Sequence, residues 1–165
     1  MSKPKQTEDS VSNGYLIYLA AANGDSEKIE DLLKIDQNIT YVDETTGMMP
    51  VHIAAAWGNP KCLEVLVNNG ADINQHDELL CTPMHHAARN GHTQTFEWLR
   101  DHGANVTVRN LFGQSPADMA LANDFPDLAD QIRRFGLRKT KAPSGNTLGD
   151  RAEAQQIGQT DQTDA

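Results

Sequence analysis

The chain has 165 residues, 38% of them hydrophobic and 22% charged, which is typical of one soluble domain of ordinary size. Its 14 Lys and Arg residues against 23 Asp and Glu residues give a net charge of −9. Because so acidic a surface repels phosphate groups, we expect neither non-specific nucleic-acid binding nor docking on an anionic membrane.

The two cysteines, Cys62 and Cys81, form neither a disulfide framework nor a CxxC pair. The N-terminal residues MSKPKQTEDS contain no apolar segment of the kind found in secretory signals. We also find no run of about 18 apolar residues that would predict a membrane span. We therefore expect a cytoplasmic and/or nuclear protein that does not bind membranes and is a monomer on its own.

The first predicted element is a polar N-terminal tail, residues 1–12, which we expect to be disordered. The chain is periodic after this tail: MPVHIAAAWG, which ends at Gly58, matches TPMHHAARNG with a spacing of 33 residues. A further step of 33 residues reaches SPADMAL, and a step of 34 back from Gly58 reaches Gly24, so one extra residue must lie in IDQNITYVDETTG. The predicted units in chain order are 14–42, 43–75, 76–108 and 109–137. A second tail, residues 138–165, has no periodic apolar pattern and is also predicted to be disordered.

These units resemble the ankyrin repeat, whose pattern is close to D-x-x-G-x-T-P-L-H-x-A-A-x-x-G-H followed by V-x-x-L-L and G-A-D-x-N. The third unit contains TPMH, AA, GH and GAN, and the second contains MPVH, AAA, WGN and GADIN. The resemblance implies an all-α fold over residues 13–137: an ankyrin-repeat solenoid of helix-turn-helix units joined by β-hairpin or turn loops. One unit cannot bury its own apolar stripe, so the units must stack.

The residues of the pattern have local physical roles. Thr82 is a good N-cap, and Pro83 suits the first helical position because its missing N–H would have had no partner there. Met49 replaces the threonine in the second unit, which should cost about 1 kcal/mol locally. Gly58 and Gly91 end the first helices, where a left-handed backbone is needed.

The end units depart from the pattern as capping repeats do. The first unit has YLIY, Tyr15 to Tyr18, in place of the T-P-L-H segment. The fourth has Asp118 where the middle units have His, Asp124 where they have Gly, and a more charged second helix. Both changes suit a repeat with one side facing solvent.

The sequence shows no constellation for metal binding or catalysis. The resemblance implies that the rings of His52 and His85 hydrogen-bond within their turns, and His86 points away from its neighbour because adjacent helical residues do not share a face. We find no HxxxH and no Cys/His cluster with zinc spacing. Ser115 is the helix cap of the fourth unit, and neither a phosphate loop nor a dinucleotide fingerprint is present. We therefore expect no metal, no cofactor and no enzymatic activity.

One basic cluster interrupts the acidic chain: Arg133, Arg134, Arg138, Lys139 and Lys141. The simpler interpretation is a helix C-terminus that favours cations, followed by a solubilising tail. The alternative is a nuclear-targeting patch or a dock for an acidic partner.

The resemblance also implies where a partner binds, because ankyrin arrays usually meet partners through the hairpin tips and the exposed side of the first helices. The predicted partner-binding residues on this face are Met48, Trp57, Glu78, Leu79, Arg89, Asn90, Leu111 and Phe112, and the register also places Cys81 there. Large exposed apolar groups indicate interaction sites, and Trp57 is the best single anchor. The alternative is that some of these side chains tuck between hairpins, as Leu80 could in place of the usual Gly.

A modification site follows from the same resemblance. In this family an Asn that ends G-A-D-x-N, with Leu eight residues before it, can be hydroxylated by an asparaginyl hydroxylase. Asn74 and Leu66 have this spacing, whereas Thr107 replaces the Asn in the third unit. The simpler role of Asn74 is a hydrogen bond within its own hairpin.

We expect a protein-protein interaction module: an adaptor, a scaffold or an inhibitor of another protein. The alternative is a substrate or regulatory subunit of a modifying enzyme, such as an asparaginyl hydroxylase or a ubiquitin ligase. The C-terminal tail shows no recognisable helical box for ligase recruitment, which weakens the ligase version.

Overall fold

Four consecutive helix pairs make up the part of the chain that the computed structural model describes, residues 12–140. The helices are α1 (Asn13–Asn23), α2 (Ser26–Ile35), α3 (Pro50–Ala56), α4 (Pro60–Asn68), α5 (Pro83–Arg89), α6 (Thr93–Asp101), α7 (Pro116–Ala122) and α8 (Pro126–Thr140). The predicted all-α solenoid of helix-turn-helix units is therefore confirmed. No helix within these residues is long and apolar enough to cross a membrane.

The helices begin as the sequence predicts. Proline occupies the first turn of α3, α4, α5 and α7. The hydroxyl of Ser115 accepts a hydrogen bond from the N–H of Asp118 at the start of α7. Met49 makes no side-chain cap bond at the start of α3. Thr82 occupies the N-cap of α5 but, like Met49, makes no side-chain cap bond, because its hydroxyl lies 3.0 Å from Nδ1 of His85 instead.

Two buried histidines join the first helices to the hairpins that follow them. Nδ1 of His52 accepts from the N–H of Met49 at 3.1 Å, so its Nε2 carries the proton and donates to the carbonyl of Gln75 at 2.9 Å. His85 repeats the arrangement, with Nε2 3.1 Å from the carbonyl of Gln114. The rings therefore do more than the predicted bond within one turn, because each also contacts the next hairpin.

The stack is continuous along the first helices, with α1 packed on α3, α3 on α5 and α5 on α7. Small fully buried residues such as Ala54 and Ala87 lie on these helices, and their size allows close approach. The largest fully buried side chains of the core are Ile17, Ile29, Leu63, Leu66, Met84, Phe96, Leu99 and Ile132. The core thus runs through all four units.

Neighbouring units also interlock behind the first helices. Gly58 ends the turn after α3 with a left-handed φ of +74°, and an added Cβ there would come within 2.6 Å of the His92 ring. His92 Nε2 lies 3.0 Å from the carbonyl of Ala56, and the amide of Asn59 donates to the carbonyl of Ala21 at 2.8 Å. Asn59 and His92, which follow the turn glycines Gly58 and Gly91, therefore cap the first helix of the preceding unit.

Each hairpin is closed by a backbone hydrogen bond rather than by strands, which do not occur within residues 12–140. The N–H of Asp43 donates to the carbonyl of Met48, and the N–H of Asp77 donates to that of Cys81. The first hairpin thus encloses one residue more than the second. The extra residue predicted between the first two units lies in this tip.

The ends of the array differ slightly from the predicted bounds. Ser12, assigned to the N-terminal tail, is the N-cap of α1, and α8 continues to Thr140. Residues 138–140 are therefore helical and not part of a disordered tail. The rest of both predicted tails, residues 1–11 and 141–165, lies outside the described residues.

Both end units carry contacts suited to caps. The rings of Tyr15 and Tyr18 pack edge-on against Tyr41, with centroids 5.9 and 5.8 Å apart. In the fourth unit the carboxylate of Asp118, which replaces the repeat histidine, lies 3.6 Å from the guanidinium groups of Arg109 and Arg133. A surface ion-pair network therefore stands where the middle units have a buried imidazole.

Candidate partner-binding face

The hairpin tips present large apolar side chains to solvent. Leu79 is 46% exposed, Leu111 60% and Phe112 69%. The N–H of Leu111 donates to the carbonyl of Leu79 at 2.9 Å, so the second and third tips are joined directly. The three side chains therefore form part of one continuous surface.

Trp57 stands at the end of α3 and is 63% exposed. The amide of Asn90 donates to the carbonyl of Ala56 at 2.8 Å, which holds Asn90 beside the end of the same helix. The structure thus brings together two predicted residues that are 33 positions apart in sequence.

A pocket of about 260 Å³ lies between the third and fourth units. Its walls include Leu79 and Phe112 from the tips, Arg89 from α5 and Met119 from α7. Arg89 is exposed and forms no ion pair within residues 12–140. The pocket therefore combines apolar walls with a guanidinium group that a ligand can reach.

The structure places two of the face residues, Met48 and Cys81, differently from the prediction. Met48 is half-buried and packs against the core, since an apolar side chain gains more there than in water. Glu78 is exposed at the second tip, as predicted, and its side chain lies over Gly47 of the preceding hairpin, where an added Cβ would be 2.7 Å from its Cγ. Cys81 is only 3% exposed, so it does not offer its thiol on the surface.

Asp77 and His86 form a buried pair beneath this face that sequence reasoning missed. Nε2 of His86 donates to Oδ2 of Asp77 at 2.8 Å, while Oδ1 accepts from the N–H groups of Leu79 and Cys81. Burial alone would raise the pKa of Asp77, but these hydrogen bonds outweigh it and hold the pKa below its ordinary value. The only sequence signal is that Asp77 begins the repeat pattern, which does not show that His86 reaches it.

Asn74 braces the next unit instead of its own hairpin. Its Oδ1 accepts from the N–H of Asn105 at 2.8 Å, and its own N–H donates to Oδ1 of Asp72 at 2.8 Å. The prediction that the Asn74 side chain hydrogen-bonds within its own hairpin is therefore wrong. Hydroxylation of Asn74 stays a prediction.

The basic cluster begins on α8. The guanidinium of Arg133 lies 3.6 Å from Asp118 and 4.0 Å from Asp130, while Arg134 and Arg138 are exposed. Part of the cluster thus neutralises the acidic cap of α7. Its use as a targeting signal stays a prediction, and Lys141 lies outside the described residues.

Comparisons with known proteins agree with this architecture. A family model described as ankyrin repeats (3 copies) matches residues 17–110. Ankyrin repeat and SOCS box protein 11 of Homo sapiens is 31% identical over 133 residues, which cover 74% of this chain and 41% of that protein. Protein phosphatase 1 regulatory subunit 27 of Mus musculus is 32% identical over 110 residues, 67% of this chain and 71% of that one. Ankyrin repeat domain-containing protein 37 of Mus musculus is 28% identical over 127 residues, 77% of this chain and 80% of that one. The chain thus spans about two fifths of the first relative.

Proposed function

The chain belongs to the ankyrin-repeat family, a family of protein-interaction modules, and from this we propose that it binds one partner protein through a single docking face. The docking face consists of Trp57, Leu79, Arg89, Asn90, Leu111 and Phe112. We propose no catalytic role, and the similarity to a phosphatase regulatory subunit supports this.

The observation that carries the proposal is the exposure of Trp57, Leu111 and Phe112, at 63%, 60% and 69%. The fold does not require apolar groups at these positions, and leaving them in water costs free energy that a partner would recover on binding. Aromatic side chains that become buried at the centre of an interface dominate binding energy.

The charge of Arg89 indicates which chemical groups the partner carries. Arg89 lies in the pocket wall beside Leu79 and Phe112 and forms no ion pair within residues 12–140. Arg is suited to bidentate binding of a carboxylate. We therefore expect the partner to insert an apolar side chain with an acidic group next to it.

The test is quantitative affinity capture from cells with the full chain as bait. Trp57→Ala and Phe112→Ala should each weaken capture of the same partner about tenfold or more, because hot-spot truncations cost about 2 kcal/mol. Ile35→Ala is the matched control, since Ile35 is 79% exposed and lies at the end of α2, away from the docking face. Circular dichroism should show unchanged helicity in all three variants.

Capture that survives both substitutions, or that Ile35→Ala reduces equally, would count against this face. Loss of the partner in only the two aromatic variants supports it. The identity of the captured protein then separates an adaptor or inhibitor from the second candidate below.

The second candidate is a regulatory subunit or substrate of a modifying enzyme. The names of two relatives favour it, because one is a regulatory subunit of a phosphatase and the other contains a SOCS box. In this version the docking face would bind the enzyme itself. Hydroxylation of Asn74 would fit a substrate role, although its Oδ1 is engaged by Asn105 in the folded array.

A further inference from the structure

Three buried side chains with different metal-binding groups meet beneath the docking face. Asp77 begins the second hairpin, Cys81 ends it, and His86 lies within α5. One carboxylate oxygen, the thiol sulfur and one ring nitrogen all lie within 4.8 Å of one another, and the three residues are at most 8% exposed. We propose that Asp77, Cys81 and His86 bind a zinc ion, with the fourth position left to water. This proposal does not rest on the proposed function.

The donor set and its spacing suit zinc better than a hard cation. Thiolate, imidazole and carboxylate are the groups that bind Zn²⁺, and three protein ligands with one open position form a tetrahedral site. Zinc bonds of about 2.0–2.3 Å bring ligand atoms to about 3.5 Å of one another. Nε2 of His86 and Oδ2 of Asp77 are already 2.8 Å apart, so small side-chain rotations would close the shell around the ion.

Two of the three ligands, Asp77 and Cys81, are oriented by hydrogen bonds from their neighbours. Oδ1 of Asp77 is held by the N–H groups of Leu79 at 2.9 Å and Cys81 at 2.8 Å, which leaves Oδ2 as the donor. The amide of Asn110 donates to Sγ of Cys81 at 3.6 Å. Such outer hydrogen bonds fix the direction and charge of metal ligands.

The pocket of about 260 Å³ provides a path to the ion. Cys81 and His86 line it together with Arg89 and Met119. Burial raises the pKa of the Cys81 thiol and the charge of Asp77 raises it further, while the hydrogen bond from Asn110 and the charge of Arg89 lower it in part. Binding zinc releases the thiol proton to solvent, and the imidazole proton moves from Nε2 to the other ring nitrogen.

The other cysteine offers a matched comparison. Cys62 is also fully buried, and burial raises the pKa of its thiol to about 11. No described His, Asp or Glu forms a comparable three-membered group with it. Cys62 should therefore remain outside any metal site.

The test uses untagged full-length protein freed of metal with a chelator and then titrated with Co²⁺. The expected result is a sulfur-to-cobalt charge-transfer band that saturates at one ion per chain and disappears when Zn²⁺ is added. Cys81→Ala should abolish the band, and His86→Ala should weaken metal binding at least about tenfold. Cys62→Ala should leave both the band and the metal affinity unchanged. No band in the unchanged protein, or an equal band in Cys81→Ala, would overturn the proposal.

A second measurement uses only the unchanged protein, so it does not depend on whether a variant folds. Zinc should slow alkylation of Cys81 in the unchanged protein, as followed by peptide mass spectrometry, and leave the alkylation rate of Cys62 unaltered. Equal rates for Cys81 with and without zinc would contradict the site.

Discussion

At the scale of single residues, a few positions cost the folded state free energy. Leu80 has a left-handed φ of +58° at a position where the other hairpins have glycine, and Asp124 has φ +65° in place of a turn glycine. Asp tolerates this backbone better than Leu does. Thr95 is a different case: its hydroxyl is buried in α6 and has no hydrogen-bond partner among residues 12–140. The array therefore keeps local costs that stacking offsets.

Thr95→Val should stabilise the protein. The substitution keeps the shape of the side chain and removes a buried hydroxyl without a partner, so the free energy of unfolding should rise by about 1 kcal/mol. Urea unfolding measures it. Thr107→Val is the control, because the hydroxyl of Thr107 is exposed and donates to Asn105. A gain as large in the control, or a loss in Thr95→Val, would show that the hydroxyl carries no cost.

At the scale of elements, the buried histidines couple each first helix to the following hairpin. Burial lowers the pKa of His52 from 6.5 to about 4, and the bond to the Gln75 carbonyl offsets only part of this effect. Burial likewise lowers the pKa of His85. Both rings are thus neutral in the folded protein at neutral pH, and their protonation favours unfolding.

The free energy of unfolding should fall as the pH decreases from 6.5 towards 4. Because His52 takes up a proton near pH 6.5 when unfolded and near pH 4 when folded, its contribution is complete above pH 6.5 and is lost below it. Between pH 7 and pH 5 this loss should be about 2 kcal/mol. Urea unfolding in a chelating buffer measures it. His52→Gln should flatten the dependence by that amount, and the same change in exposed His76 should not; an unaltered slope in His52→Gln would contradict the assignment.

At the scale of the whole molecule, stability comes from neighbouring units rather than from distant contacts. The first helices touch in the order α1, α3, α5 and α7, and each end unit has one neighbour only. Stability is then close to a sum of unit and interface terms. A destabilising substitution in an end unit should unfold that unit alone, whereas one in a middle unit should destabilise all four units.

Ile132→Ala and Leu66→Ala should therefore unfold the array differently. Ile132 of α8 and Leu66 of α4 are both buried, and either change should cost about 2–5 kcal/mol. Hydrogen exchange should show early loss of protection confined to α7 and α8 in the first variant. The second should lower protection in all four units. Uniform loss in Ile132→Ala would mean that the array unfolds as one cooperative body.

The repeat pattern was sufficient for the architecture because each motif residue acts over a short range. Pro83 at a helix start, Gly58 at a helix end and Leu66 in a buried stripe follow from turn chemistry and periodicity. The 34-residue step between Gly24 and Gly58 revealed an extra residue, but only the hydrogen bond from Asp43 to Met48 located it in the hairpin tip.

The sequence by itself determined the fold, the register of the units and most of the exposed face, since exposed Trp57 and Phe112 occupy positions that the repeat leaves free. The tertiary structure decided where individual side chains point and which residues of other units they contact. It turned Met48 towards the core, bonded Asn74 to Asn105 in the next unit and brought Asp77, Cys81 and His86 together. Spacing along a chain specifies which helix face a residue occupies, but packing between elements decides which side chains from a hairpin and a helix meet.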